Sequence, residues 1–422
     1  MQTLRFPLAV LVSLVIDAGH ATAAQQTLET PLAADSADAT QSTPTSLRDV
    51  RVLIAAKAKR VRVRADDGFF LLNEDGVRVS SVSAGTWHII DRRPSERIRI
   101  DGEERSLPIG LEPEPGETLD LSVFRGGSWS KPLRYPGSLE LRPTRGGIDV
   151  INHVDVETYV ACVVANEVWP TFQTEAYRAQ AVVSRSYVLF QMQRRPSALV
   201  DVSAAQGSQV YRGVRTDAVG QRAVEAARFT RGIVLTYVHE GRDELFCTYF
   251  SAACGGLSQS AAIFGEEGDI PPLRGGVRCD YCAIAPRGTY RWGPVKLTLR
   301  ELQKKLVARY PKMKTLGKIR SVNVVEKTKT GRPLRLRIRG TKGKPKTILA
   351  ERFRLAIGAS ILKSTDFKIE NGKGVVVFKN GRGFGHGLGL CQWGMEGQAR
   401  EGRRAGEILR FYFPGSKLTR VY

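Results

Sequence analysis

Residues Tyr159–Tyr187 read YVACVVANEVWPTFQTEAYRAQAVVSRSY, and the two halves of this stretch follow different periods. From Tyr159 to Val164 the chain is a short, β-branched apolar run, the pattern of a buried strand. After Pro170, residues Ala176, Ala179, Val183, Tyr187 and Phe190 recur at helical spacing. A long helix is therefore expected over about 174–193, with Thr171 or Thr174 as its N-cap. Between the halves stands one carboxylate, Glu167, flanked by Val168, Trp169 and Pro170. A carboxyl beside apolar side chains is held partly neutral, because desolvation disfavours its charged form. A general acid requires that state. Read without context, the same Glu is an ordinary acidic residue favoured by a helix N-terminus.

Working outward, residues 49–136 hold short alternating apolar runs separated by Gly, Asp and Pro. Examples are Val50–Ile54, Phe69–Leu72 and Leu119–Phe124. This segment is strand-rich and carries no constellation to which chemistry can be assigned. Strands at 138–141 and 147–154 lead into the Glu167 stretch. A helix over 217–229, capped by Thr216, follows it, and 295–309 reads as a further helix. Ile319–Val325, Leu334–Ile338 and Thr347–Ala350 alternate like a meander with Gly and Lys turns. The expected fold class is α+β: a strand-rich N-terminal segment, then a mixed α/β catalytic core over 137–422 with a basic β-meander insertion at 296–350.

The first residues carry Arg5, an apolar run from Phe6 to Ile16 and the small-residue site Ala21-Thr22-Ala23. They read as a secretory leader over 1–24, and the apolar run is short for a membrane span. Residues 25–48, rich in Thr, Ser, Ala and Pro, read as a flexible linker. An exported protein of the periplasm, cell wall or extracellular space is expected.

The net charge is +22 over 422 residues, and it is unevenly placed. Between Pro286 and Ala350 there are 20 Lys and Arg against two acidic residues, Glu301 and Glu326. A patch of this kind favours a polyanion. Outside the cytoplasm the polyanions at hand are peptidoglycan carboxylates, wall polymers and anionic lipid heads. No nucleic-acid motif accompanies the patch, so no nucleic-acid partner is expected. A solvated face of a β-meander is the plain structural alternative.

Two more blocks stand out. Tyr249–Gly256 reads YFSAACGG. Gly381–Gly394 reads GRGFGHGLGLCQWG and is followed by ILRFYFPGSKL from Ile408. Alternating glycines let a backbone pass close to a ligand or another strand. No Lys-Ser/Thr follows them, which excludes a phosphate loop. His386 lies among these glycines, exposed to whatever fills the groove. Gln392 and Trp393 close the block, with Trp393 either a sugar-stacking face or a core residue.

With AYRAQAVVSRSY after Glu167, these blocks resemble the SpoIID/LytB family, the stage II sporulation protein D type, in the family's order from about residue 137 onward. Its members act on bacterial peptidoglycan. The resemblance implies Glu167 as catalytic acid/base. It implies Arg185, Gln209, Tyr211, His386 and Gln392 as substrate-binding residues, with 201–213 as the loop toward the pocket. Many members carry Cys where this chain has Ser208. Some relatives bind zinc with Cys and His near this cleft, which implies a structural zinc site from Cys254, Cys279, Cys282 and Cys391 or His386. A disulfide is the competing use of an even cysteine count in an exported chain. Cys162 reads as a buried small hydrophobe.

Most glycosidases use two carboxylates, and the matched blocks offer one. A lytic transglycosylase needs only one. Glu167 would protonate the oxygen between N-acetylmuramic acid and N-acetylglucosamine, then deprotonate the muramyl C6 hydroxyl, which closes a 1,6-anhydro ring. No cofactor is required for that chemistry. Arg185 would hold the lactyl carboxylate, whereas Arg178 reads as solvent-facing helix charge. The expected partners are peptidoglycan glycan strands. A non-catalytic peptidoglycan-binding protein that stimulates an N-acetylmuramoyl-L-alanine amidase is the alternative from a different class. A zinc hydrolase using His386 and the cysteines is a third.

Overall fold

The computed structural model describes residues 49–204, 209–264 and 270–422. The leader and linker expected over 1–48, and Ser208, lie outside these residues. The fold is α+β. Seven α-helices occur among the described residues: α1 (Val156–Glu167), α2 (Thr174–Arg194), α3 (Ala218–Phe229), α4 (Leu299–Arg309), α5 (Ala350–Ile357), α6 (Gln392–Arg400) and α7 (Ala405–Tyr412).

The N-terminal part forms two seven-stranded sheets. In the first, Val50–Ala58 lies between Gly147–Val154, antiparallel, and the short Val202–Ser203, parallel. Ser138–Thr144 pairs with both Gly147–Val154 and Ile109–Pro113. One sheet thus crosses the 136/137 position taken as a boundary from sequence. Its last long strand hands the chain directly to α1 at Asp155, whose carboxylate caps the helix by accepting from the Glu157 and Thr158 amides.

That cap corrects the strand expected at Tyr159–Val164, which lies inside α1. The β-branched run favours a strand by local propensity. However, Val156, Tyr159, Val160, Val163 and Val164 are all buried, at the spacing of one helix face. Tertiary burial overrides the local preference. α2 forms as expected, but its N-cap is Gln173 and not a threonine. The Gln173 amide donates to the Glu396 carboxylate of α6 at 2.7 Å. Asp217, not Thr216, caps α3. The helix expected over 295–309 divides into a strand, Val295–Thr298, and α4, which begins at a Thr298–Glu301 capping box.

Two hydrophobic cores result. One runs from Val50 to Leu418 and holds both N-terminal sheets, α1–α3, α6 and α7. The other is confined to residues between Trp292 and Phe378 and is centred on Leu302, Leu306, Leu336, Ile338, Phe353 and Phe378. The meander Ile319–Lys327, Pro333–Gly340, Lys346–Leu349 is present as read from sequence. Its independent core reaches well beyond 296–350, because Trp292 and the hairpin Asp366–Gly372/Val375–Arg382 pack into it. Arg332 leaves this unit and donates to the carbonyls of Cys254 and Leu257, tying the two cores together.

Candidate functional site

α1, α2 and α6 converge on Glu167. It is the last residue of α1, and the chain turns out of the helix at Val168. The Val210 amide donates to Glu167 Oε1 at 2.7 Å. Gln392, the first residue of α6, donates through Nε2 to the Glu167 carbonyl at 3.4 Å and to Gln180 Oε1 of α2 at 3.3 Å. Its carboxamide also favours the charged form of the Glu167 carboxyl. Burial raises the Glu167 pKa above its ordinary value. The Val210 amide, Gln392 and the Arg212 charge pull against that rise, and burial prevails. Glu167 as a residue is only partly buried by surface area, while its carboxyl is strongly desolvated. This combination suits a group that gives a proton and takes one back.

Gln209 and Tyr211 stand behind this group. Tyr159 of α1 donates to Gln209 Oε1 at 2.9 Å, and its ring stacks on Tyr211 at 5.2 Å. Tyr211 in turn donates to Asn152 Oδ1 at 2.5 Å. Both Gln209 and Tyr211 are about 1% exposed. They fix the 209–213 segment, and hence the Val210 amide, against α1; neither presents a surface to a ligand.

Arg185 is fully buried and does not meet Glu167. Its guanidinium forks onto the Glu157 carboxylate, at 2.9 and 2.5 Å, and donates to Thr230 Oγ1 and the carbonyls of Ile233 and Ala227. The substrate role expected for it is therefore replaced by one that locks α1, α2 and α3 together. Helical spacing places a residue on a face but does not say what covers that face. Arg178 is also buried, at 9% exposure. It pairs with Glu175 at 2.6 Å and sits over the Phe229 ring, which contradicts a solvent-facing charge.

His386 sits partly buried in an aromatic corner, not stripped of neighbours. Its ring meets Tyr249 and Phe264 edge-on at 5.9 and 5.8 Å. Its Nδ1 accepts from the Leu388 amide at 3.0 Å, which leaves the proton on Nε2. Burial lowers its pKa to about 4, so the imidazole is neutral near pH 7. Trp393 is core: it is 7% exposed and packs edge-on to Phe172 at 4.9 Å. The exposed aromatic is Trp169, two residues past Glu167, 52% exposed and resting on Trp393 at 5.9 Å. Sequence reading missed Trp169 as a sugar-facing candidate, although its place in the Glu-Val-Trp-Pro turn signals it. Gln180 was also missed although it lies inside the AYRAQAVVSRSY block, and so was the Val210 amide, which no local motif marks.

Four of the cysteines form a second constellation. The sulfurs of Cys254, Cys279, Cys282 and Cys391 all lie within 4.8 Å of one another, and all four residues are buried. The Cys254–Cys282 separation is 3.7 Å. A disulfide requires about 2.05 Å, and none joins these residues. Ligands at about 2.3 Å around a tetrahedral zinc stand about 3.8 Å apart. The set fits such an ion as four thiolates. His386 is not part of the set.

A groove of about 1490 Å³ lies along the second core. It is lined by Arg287, Arg291, Lys327, Lys368, Lys379 and Arg382 around Trp292 and Phe367, with Asp366 as its acidic member.

Residues 144–237 match the family described as Stage II sporulation protein, and residues 284–389 match a domain of unknown function, DUF8618. The second match coincides with the separate core. The chain is 31% identical over 306 residues to an uncharacterized protein of Brachyspira hyodysenteriae, covering 71% of this chain and 74% of that protein. It is 26% identical over 287 residues to stage II sporulation protein D of Bacillus subtilis, covering 64% of this chain and 76% of the relative. A stretch of 66 residues is 38% identical to the amidase enhancer of Bacillus subtilis, 16% of this chain and 9% of that protein. The chain belongs to the SpoIID/LytB family.

Proposed function

We propose that this family member is an exported, cell-wall-directed enzyme, a peptidoglycan lytic transglycosylase with Glu167 as its single acid/base. The observation that carries this is a lone, desolvated carboxyl whose proton affinity is raised by burial, held at Oε1 by the Val210 amide on a residue whose backbone carbonyl takes the Gln392 carboxamide. One carboxyl serves both half-reactions. Protonated, it delivers its proton to the glycosidic oxygen as the bond to the muramyl anomeric carbon breaks. The resulting carboxylate then removes the proton of the muramyl C6 hydroxyl as that oxygen bonds to the anomeric carbon. The group ends protonated, and no water is consumed. Gln392 and the Val210 amide stabilise the transient carboxylate, Trp169 offers an apolar face to a sugar, and the basic groove takes the polymer's carboxylates.

Purified wild type and Glu167→Gln are incubated with intact and peptide-stripped glycan strands, and the products weighed by mass spectrometry. Products one water lighter than hydrolysed ones, formed by wild type alone, are expected. The local likeness to an amidase enhancer favours a second reading. Strand binding without cleavage by either form, together with stimulation of an N-acetylmuramoyl-L-alanine amidase, would establish that reading instead.

A further inference from the structure

We propose that Cys254, Cys279, Cys282 and Cys391 hold one zinc-type divalent ion in a closed tetrathiolate site that pins three chain segments behind the catalytic face. The cysteines come from the loop after Phe250–Ser251, from the turn Asp280–Ile284 with its preceding residue, and from the N-cap of α6. Local sequence brings only Cys279 and Cys282 together. The other two arrive through the parallel pairing Phe250↔Leu390 and Ser251↔Cys391.

The surroundings are built for sulfur carrying negative charge. The Cys254 amide donates to Cys391 Sγ at 3.2 Å, Tyr412 Oη lies 3.0 Å from Cys279 Sγ, and the Gly256 amide hydrogen-bonds Cys282. Donors aimed at the sulfurs are what a thiolate cluster needs around it. Space is reserved as well. A Cβ at Gly394 would stand 2.5 Å from Cys279 Sγ and 2.0 Å from Tyr412 Oη, so this position must be Gly for the sulfurs to converge. Four buried thiolates without an ion would repel one another in a medium that cannot screen them. Two protons leave for each pair of thiols that binds, so uptake releases protons and strengthens with pH.

All four positions around the ion are taken by sulfur, which makes it structural and not a Lewis acid for the glycan. Its mechanical reach is short. Cys391 precedes Gln392, the residue that touches Glu167 and Gln180, and Cys254 is held at its carbonyl by Arg332 from the second core. The ion thus fixes the start of α6 relative to the turn that carries Cys279 and Cys282. This proposal does not depend on the lytic reading: a non-catalytic amidase-stimulating protein would use the same knot.

Metal content of the full-length exported protein, purified without chelator, is expected to be one zinc per chain. After exchange, cobalt(II) should show the visible and thiolate charge-transfer bands of a tetrahedral four-sulfur site. Cys282→Ser should lose those bands, and Cys282→His should keep a tetrahedral spectrum with one fewer sulfur. Tyr412→Phe, which removes only the donor to Cys279, should weaken metal affinity by about 10–100-fold. Chelation should raise amide exchange around 254–257, 279–285 and 391–395 while leaving the sheets of 50–154 unchanged. Protein that refuses zinc and cobalt with four reduced thiols would overturn the proposal. So would disulfides found among the four, or bound metal that is indifferent to Cys282→Ser and Tyr412→Phe.

Discussion

The two hydrophobic cores place charge in opposite ways. The core around Glu167 buries ionic groups and pairs them across elements. Arg185 with Glu157 joins α2 to α1, Glu396 of α6 takes the amide of Gln173, the N-cap of α2, and Glu175 of α2 takes the Ala405 amide at the start of α7. Of the 20 basic residues of 286–350, in and just before the unit between Trp292 and Phe378, 19 reach solvent and Arg332 alone is buried. Arg335, Arg337 and Arg339 alternate outward while Leu336 and Ile338 alternate inward, the period-two pattern of a half-buried strand. The first region therefore spends its charges on geometry, where screening by salt is weak. The second presents them to solvent, where salt screens them.

The sharpest break between the regions is chemical. Glu167→Gln should reduce strand cleavage by at least about 10²-fold, the usual weight of a positioned acid/base, while strand binding persists. Neutralising Arg335, Arg337 and Arg339 together should leave the single-turnover cleavage rate at saturating strand unchanged, measured on the same products.

Stability separates the regions next. Arg185→Ala leaves Glu157 buried without its fork and should cost about 3–5 kcal/mol in denaturant unfolding. Arg337→Ala, on an exposed face, should stay within about 0.5 kcal/mol. An Arg185→Ala protein of undiminished stability but weakened strand binding would restore the substrate role first expected for it.

The pH dependence has a definite sign. Burial raises the folded-state pKa of Glu167, so the carboxyl binds its proton more tightly folded than unfolded. Its contribution to stability is fully present below the unfolded pKa, near 4.5, and declines as pH rises through the folded pKa. Glu167→Gln removes that decline. The variant should therefore melt higher than wild type at neutral pH, with the gap closing toward acid. Cleavage by wild type should fall as pH rises past the same raised pKa, because the acid is lost.

The smallest effect is ionic. Replacing the three outward arginines by Gln should weaken strand binding at low salt, and the difference from wild type should vanish at about 1 M salt, where the Debye length is about 3 Å. A deficit that persists at high salt would mean specific, shielded contacts and would erase the contrast between the two regions.

The same contrast explains what could be read from the chain. The meander and α2 were legible because their patterns are local: alternation in one, 3.6-residue spacing in the other. The α1 run was misread as a strand because Val and Tyr favour one locally, while the Asp155 cap and the burial of one helical face decide otherwise. At the site, the blocks singled out Glu167 and Gln392 but not the contact between them, and Gln392, expected to meet substrate, is buried against Glu167 and Gln180. The Val210 amide was not legible, since a backbone donor bears no sequence mark, and Gln180, though inside AYRAQAVVSRSY, shows its role only once the fold brings Gln392 to it. Arg185 misled because burial against α3 is a tertiary fact. The four cysteines could be named, and one histidine with them, but only the fold brings the four sulfurs together and leaves His386 out.

The central claim is that a single carboxyl cleaves without water, and solvent labelling tests it most directly. Strands are digested in ¹⁸O water, and the muramyl ends are analysed by mass. Ends that carry no label and are one water lighter than hydrolysed ends, absent with Glu167→Gln, are the expected result. Muramyl ends carrying ¹⁸O would show that water is the nucleophile and would contradict it.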